Sequence, residues 1–175
     1  GNGLPAAIGA AYATGKKIIC VCGDGGFVMN IQELEVVRRD NLNLKLFILN
    51  NQGYSTIRGT QTNGFKGHFV GCNKDSGLTI GNVAEIAKAY GIKVLYLKCN
   101  EDMETVIFEA LTCDGPVLVD VWVDPAQPIE PRQASMRLPD GRMVSRPLED
   151  MRPFIPAEEI ESIMALSKED LLVES

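Results

Sequence analysis

Four short, largely apolar runs constrain this chain most: KKIICVC at 16–22, LKLFILNN at 44–51, IKVLYLK at 92–98 and PVLVDVWV at 116–123. Runs of this length without polar alternation suit strands buried on both faces. Segments of helical spacing separate them. NIQELEVVRRD (30–40) opens with Asn30 as an N-cap and has Glu33 three residues on, a capping-box pattern that predicts a helix over 31–39. NVAEIAKAYG (82–91) repeats the pattern with Asn82 and Glu85, and Val83, Ile86, Ala87 and Tyr90 share one face before Gly91 stops it. Asn100 is expected to cap a further helix, with Glu101, Asp102 and Glu104 in its first turn and Met103, Val106, Ile107, Ala110 and Leu111 on its apolar face. Ahead of them all, LPAAIGAAYATG predicts a close-packed helix over 4–14, with Pro5 in its first turn and Gly15 just past its end. Such alternation implies an α/β fold: a three-layer sandwich with a mostly parallel sheet covered on both faces.

From Asp124 the alternation stops. Most of the nine prolines lie between 125 and 156, so 124–175 is expected to form an extended C-terminal arm with a short helix near 157–166. Residues 1–123 then make the sheet domain. A looser stretch, 52–81, rich in Gly, Asn, Thr and Ser, separates the second and third strands. The chain starts at GNGLPAAIGA without an initiator Met and reads as part of a longer polypeptide.

Charge narrows the partners. With 17 Lys and Arg against 23 Asp and Glu, the net charge is −6, and Lys16-Lys17 and Arg38-Arg39 are isolated pairs rather than a basic patch. Neither nucleic acid nor an anionic membrane surface is an expected partner. No apolar run reaches the length of a membrane span, so a cytoplasmic protein is expected. Five cysteines occur without a CxxC; Cys20 and Cys22 face the same side of a strand and read as small core hydrophobes.

Chemistry is expected at the carboxyl ends of the first two strands. One ends in Gly23-Asp24-Gly25-Gly26, the other in Asn50-Asn51-Gln52-Gly53. If the strands are neighbours, their turns lie within about 5–10 Å. Asp24 then offers a carboxylate, Asn51 a neutral amide oxygen and Gly53 a carbonyl. That set suits Mg²⁺, which takes about six oxygens, often one or two carboxylates with phosphates and waters. Gly25 and Gly26 leave room for a phosphate to approach backbone N–H groups, and the helix from 31 adds a positive end. Rivals fail on the residues. From Gly23, the third glycine position of GxGxxG holds Val28; there is no P-loop motif; and the single histidine, His68, reads as a polar loop residue. A noncatalytic metal- or nucleotide-binding regulatory module is the alternative from a different class, although Asp24 lacks the acidic neighbours a receiver module needs.

GDG at 23–25, a gap of 24 residues and NN at 50–51 resemble the thiamine-diphosphate signature of the acetolactate synthase and 2-oxo-acid decarboxylase families. GLPAAIGAA (3–11), MNIQEL (29–34) and LPDGRMVSRPLEDM (138–151) are similar to acetolactate synthase large subunits in particular. The resemblance implies a C-terminal cofactor-binding domain for thiamine diphosphate and Mg²⁺. It makes Asp24, Asn51 and Gly53 the metal ligands, and Gly23, Gly25, Gly26 and Tyr54 further cofactor contacts, with Gly1-Asn2-Gly3 near the cofactor's rings. It implies decarboxylation of a 2-oxo acid and ligation to a second carbonyl. The activating glutamate is expected in a separate N-terminal pyrimidine-binding domain, from a second subunit of a homodimer or homotetramer, so no catalytic residue lies in this chain and it should not turn over alone. One position departs from the pattern. Acetolactate synthases usually carry a tryptophan in the helix after the paired asparagines, where NNQGYSTIRGTQ (50–61) has Thr60. That favours a simple decarboxylase, or a carboligase with an acceptor other than pyruvate, as the alternative.

Overall fold

The computed structural model describes residues 1–170, with side chains through Ala165. The apolar runs form β1 (Ile18–Gly23), β2 (Leu44–Asn50), β3 (Lys93–Leu97) and β4 (Val117–Trp122). They pair in parallel in the order β1-β2-β4-β3, so the chain steps outward to β3 and returns to insert β4 beside β2.

Strand alternation sends side chains to two faces, and each face has its own core. On one, Cys20, Leu44, Leu46, Ile48 and Leu118 pack with α1 (Gly3–Thr14), α3 (Leu34–Arg39) and α5 (Val83–Ala89) through Leu4, Ile8, Ala11, Leu34, Val37, Val83 and Ala87. Phe27, from the four-residue turn α2 (Asp24–Phe27), joins them. On the other face, Leu97, Val117 and Val119 meet Ala110 of α6 (Met103–Thr112), with Phe47, Leu95, Val106 and Val121 half-buried around them. Helices on both faces of a parallel sheet give the expected three layers. Cys20 and Cys22 sit in or against the first core, and all five cysteines are free thiols.

Lys45 breaks the apolar run of β2 and is fully buried. Its Nζ donates to the carbonyls of Cys113 and Gly115, at 2.7 and 2.6 Å, tying the start of β2 to the turn before β4.

Helix starts follow the sequence in part. Asn82 caps α5 as expected, its Oδ1 accepting from Glu85 N at 3.1 Å. Asn30 caps nothing. The chain runs from α2 straight into a 3-10 stretch over Val28–Glu33, and Asn30 is its kink, at φ −132° and ψ 31°. The predicted helix over 31–39 is therefore regular only as α3. The strand end requires this: the backbone must coil at once after Gly23 to bury Asp24 and Phe27, so no separate helix start is left for Asn30. Likewise Asn100 begins a 3-10 turn ahead of α6 and makes no side-chain cap. The loose stretch 52–81 contains α4 (Ser55–Gly64) and a capping box in which Asn73 and Ser76 exchange bonds.

Residues 1–127 form one unit and 128–175 a second. Within the second, β5 (Ser135–Arg137) and β6 (Met143–Ser145) pair as an antiparallel hairpin, and α7 (Ala157–Asp170) follows. The expected extended arm thus contains a hairpin and a longer helix. The guanidinium groups of Arg146 and Arg152 stand over the Phe154 ring at 4.3 and 5.5 Å.

Candidate functional site

In the β1–β2 register Gly23 stands opposite Leu49, so the two strands end almost level and their turns meet. Gly23 is extended (φ −75°, ψ 154°), and the chain turns helical at Asp24. That geometry buries Asp24 completely. Its Oδ1 accepts from Gly25 N at 2.7 Å, and its Oδ2 accepts from Gly53 N, across the strand boundary, at 3.2 Å. Burial pushes the Asp24 carboxyl above the ordinary carboxylate value; the N–H groups of Gly25, Gly53 and Gln52 and the Arg58 charge oppose it. The positive helix end nearest this carboxylate belongs to α2, not to a helix starting at 31.

The paired asparagines divide their work. Asn50 turns to the sheet, its Nδ2 donating to the buried Asp120 at 3.0 Å, which also accepts from Trp122 Nε1 at 3.2 Å. Asn51 turns the other way. Its main-chain O and its Oδ1 both accept from Arg58 Nη2 at 3.0 Å. Gly53 follows at φ +146°, where a Cβ would lie 2.3 Å from Cys72 O, so only glycine serves there. Its carbonyl oxygen lies 3.3 Å from where a Gly25 Cβ would stand. Asp24 and Gly53 thus meet across the two strand ends, and Arg58 bonds Asn51 while packing beside Gly53.

The glycines differ in what surrounds them. A Cβ on Gly25 would meet the Tyr54 ring at 2.5 Å, so that side of the turn is filled by Tyr54. In the side-chain direction Gly26 is open, its nearest neighbour there being Gly1 N at 3.7 Å. The N-terminal Gly1-Asn2-Gly3 segment therefore borders the site. Thr60 sits exposed on α4, and His68 is an exposed loop residue. A separate cavity of about 780 Å³ opens beyond Asn50, at the ends of β2, β3 and β4; Asp24 and Asn51 do not line it.

Arg58 escaped the sequence reading. It is 92% buried (8% exposed) in α4, yet its Nε and Nη1 have no hydrogen-bond partner. Nothing in STIRGTQ marks it, because its role arises from a turn of backbone seven residues earlier. Among the described residues, no cluster of three or more acidic, histidine or cysteine side chains could hold a metal. The Asp24 place offers a different donor set. A desolvated carboxylate that calls for a cation sits beside neutral oxygens, with unpaired N–H donors of Arg58 near them. A divalent cation that shares its shell with an anionic ligand fits that chemistry.

A parallel α/β domain with a buried carboxylate at the end of one strand and paired asparagines at the end of its neighbour is the class that fold and site define. Residues 1–121 match the family model described as "Thiamine pyrophosphate enzyme, C-terminal TPP binding domain". The chain belongs to that family. It is 35% identical over 124 residues to the acetolactate synthase large subunit of Cyanidium caldarium, covering 70% of this chain and 21% of that protein. It is 34% identical over 133 residues to the acetolactate synthase isozyme 2 large subunit of Escherichia coli K12, covering 75% and 24%. Among solved structures, it is similar to a thiamine diphosphate-dependent 4-hydroxybenzoylformate decarboxylase of Rhodococcus jostii RHA1, with TM-score 0.61 and 29% identity over 70% of this chain and 23% of that one. The chain thus spans less than a quarter of the length of each of these relatives.

Proposed function

We propose that this chain is the cofactor-holding part of an acetolactate-synthase-like enzyme, which decarboxylates a 2-oxo acid and ligates the product to a second carbonyl. The observation that carries the reading is Asp24, a wholly buried carboxylate held by N–H groups from both strand ends beside the Asn51 amide and the Gly53 carbonyl. Those three oxygens would hold Mg²⁺, and the remaining shell would come from diphosphate and water. Gly23, Gly25 and Gly26 would approach the diphosphate with backbone, and Tyr54 would wall the turn. Thiamine diphosphate, when bound, supplies the nucleophilic carbon and the electron sink for decarboxylation. The residues of this chain bind and orient it; its own side chains move no proton. The activating glutamate belongs to an N-terminal pyrimidine-binding domain from a second subunit, in a cytoplasmic homodimer or homotetramer.

Calorimetry of thiamine diphosphate binding, with and without Mg²⁺, tests the cation's role. Binding that requires the metal is expected; equal binding in EDTA would overturn the reading. The isolated chain should bind weakly and show no turnover.

A second reading, a simple decarboxylase or a carboligase with an acceptor other than pyruvate, draws on Thr60. A small polar residue on an exposed face of α4 cannot supply a large apolar wall. A panel of 2-oxo acids, assayed with and without a second carbonyl acceptor, separates the two.

A further inference from the structure

Arg58 is costly where it stands. The guanidinium is buried, and two of its N–H positions, on Nε and Nη1, have no partner. Unpaired buried donors in a native fold call for a reason. The side-chain bonds that Arg58 does make both go to Asn51, from Nη2 to the main-chain O and to Oδ1, each at 3.0 Å. Nη1 also packs 3.1 Å from the position a Gly53 Cβ would take. The guanidinium thus bonds Asn51 and packs beside Gly53, and its charge also acts on Asp24.

We propose that Arg58 is a positioning residue for the cation site: it holds the Asn51 amide with its oxygen inward and keeps Gly53 in its turn. The inference rests on reading Asp24, Asn51 and Gly53 as cation ligands. A side-chain amide has two ends of nearly equal shape. Turned over, Asn51 would set an NH₂ donor against the Arg58 donor. With the guanidinium in place only the oxygen is tolerated, and one of its two lone pairs stays free for a cation. A guanidinium near a divalent cation is repelled by it, so the arrangement suits a metal that arrives with an anionic ligand rather than alone.

The test is Mn²⁺ binding followed by electron paramagnetic resonance, in the native protein with thiamine diphosphate present, for wild type, Arg58→Met and Arg58→Lys. Removing a group that orients a metal ligand weakens metal affinity by about 10- to 100-fold. The half-saturating Mn²⁺ concentration is expected to rise by that factor in Arg58→Met. The melting temperature of the metal-free protein should change little, because the loss of two unpaired donors offsets the two bonds to Asn51 that go with them. Arg58→Lys should recover part of the affinity. An unchanged Mn²⁺ titration in folded Arg58→Met overturns the proposal. If that variant does not fold, Arg58→Lys decides by the same measurement, and failure of both to fold makes the residue structural and also overturns it. A wild type that takes up no Mn²⁺ with the cofactor instead sinks the underlying assignment of the ligands.

Discussion

Asp24 is acceptable in the folded chain only because of what surrounds it. Its carboxyl lies above the ordinary value of 3.8 through burial. The folded, metal-free protein therefore holds that proton more tightly than the unfolded chain does. Stability from this group falls as pH rises past the unfolded value, and the full penalty applies above the folded one. A bound cation offsets the penalty and competes with the proton. The gain in melting temperature on adding Mg²⁺ with thiamine diphosphate is expected to be small in the acidic carboxylate range and to grow toward neutrality. A gain that does not change with pH would refute this. Gly53→Ala should destabilise by at least about 2 kcal/mol in denaturant titration, since its backbone is left-handed and Cys72 O blocks the methyl. Gly25→Ala should displace the Tyr54 ring, visible as a change in tyrosine near-ultraviolet signal. The two asparagines, adjacent in sequence, take different partners in the fold. Side-chain alternation in β2 sends Asn50 to Asp120, and the turn sends Asn51 to Arg58.

At the level of elements, similar-looking signals had different outcomes. Asn30 with Glu33 and Asn82 with Glu85 carry one pattern, and only Asn82 caps a helix. Asn82→Ala is expected to cost about 1 kcal/mol. Asn30→Ala, with no cap to lose, should stay within about 0.5 kcal/mol. Equal effects in chemical denaturation would contradict the distinction. The strands were legible because each is a short apolar run, and their mutual order was not, because β4 inserts between β2 and β3 through pairing that no local signal announces. Lys45 shows the same limit. In sequence it interrupts β2; in the fold it satisfies two carbonyls near the other end of the sheet domain. Lys45→Met should destabilise by about 1.5–3 kcal/mol by removing charge-assisted bonds.

Across the whole molecule, the sheet is finished unevenly. β1 is an edge strand, and on the α6 side its Ile19 and Val21 are 56% and 61% exposed. An exposed apolar edge strand promotes association. Ile19→Lys should raise the solubility of the isolated chain without lowering its melting temperature, measured by light scattering and thermal melts; unchanged scattering would count against the edge as the cause. No helix among the described residues is long and apolar enough to cross a membrane.

The sequence by itself determined the α/β class, the four strands and the two glycine-bound turns that end β1 and β2, because buried strands and such turns are local signals. It also marked Asp24, Asn51 and Gly53, since the motif keeps a fixed gap between consecutive strand ends. Only the tertiary structure decided that Asn50 bonds Asp120 while Asn51 bonds Arg58, and that Tyr54 packs against Gly25 while Gly26 stays open. Those outcomes depend on backbone turns and on side chains meeting across elements, and contacts of that kind leave no periodic trace in the chain.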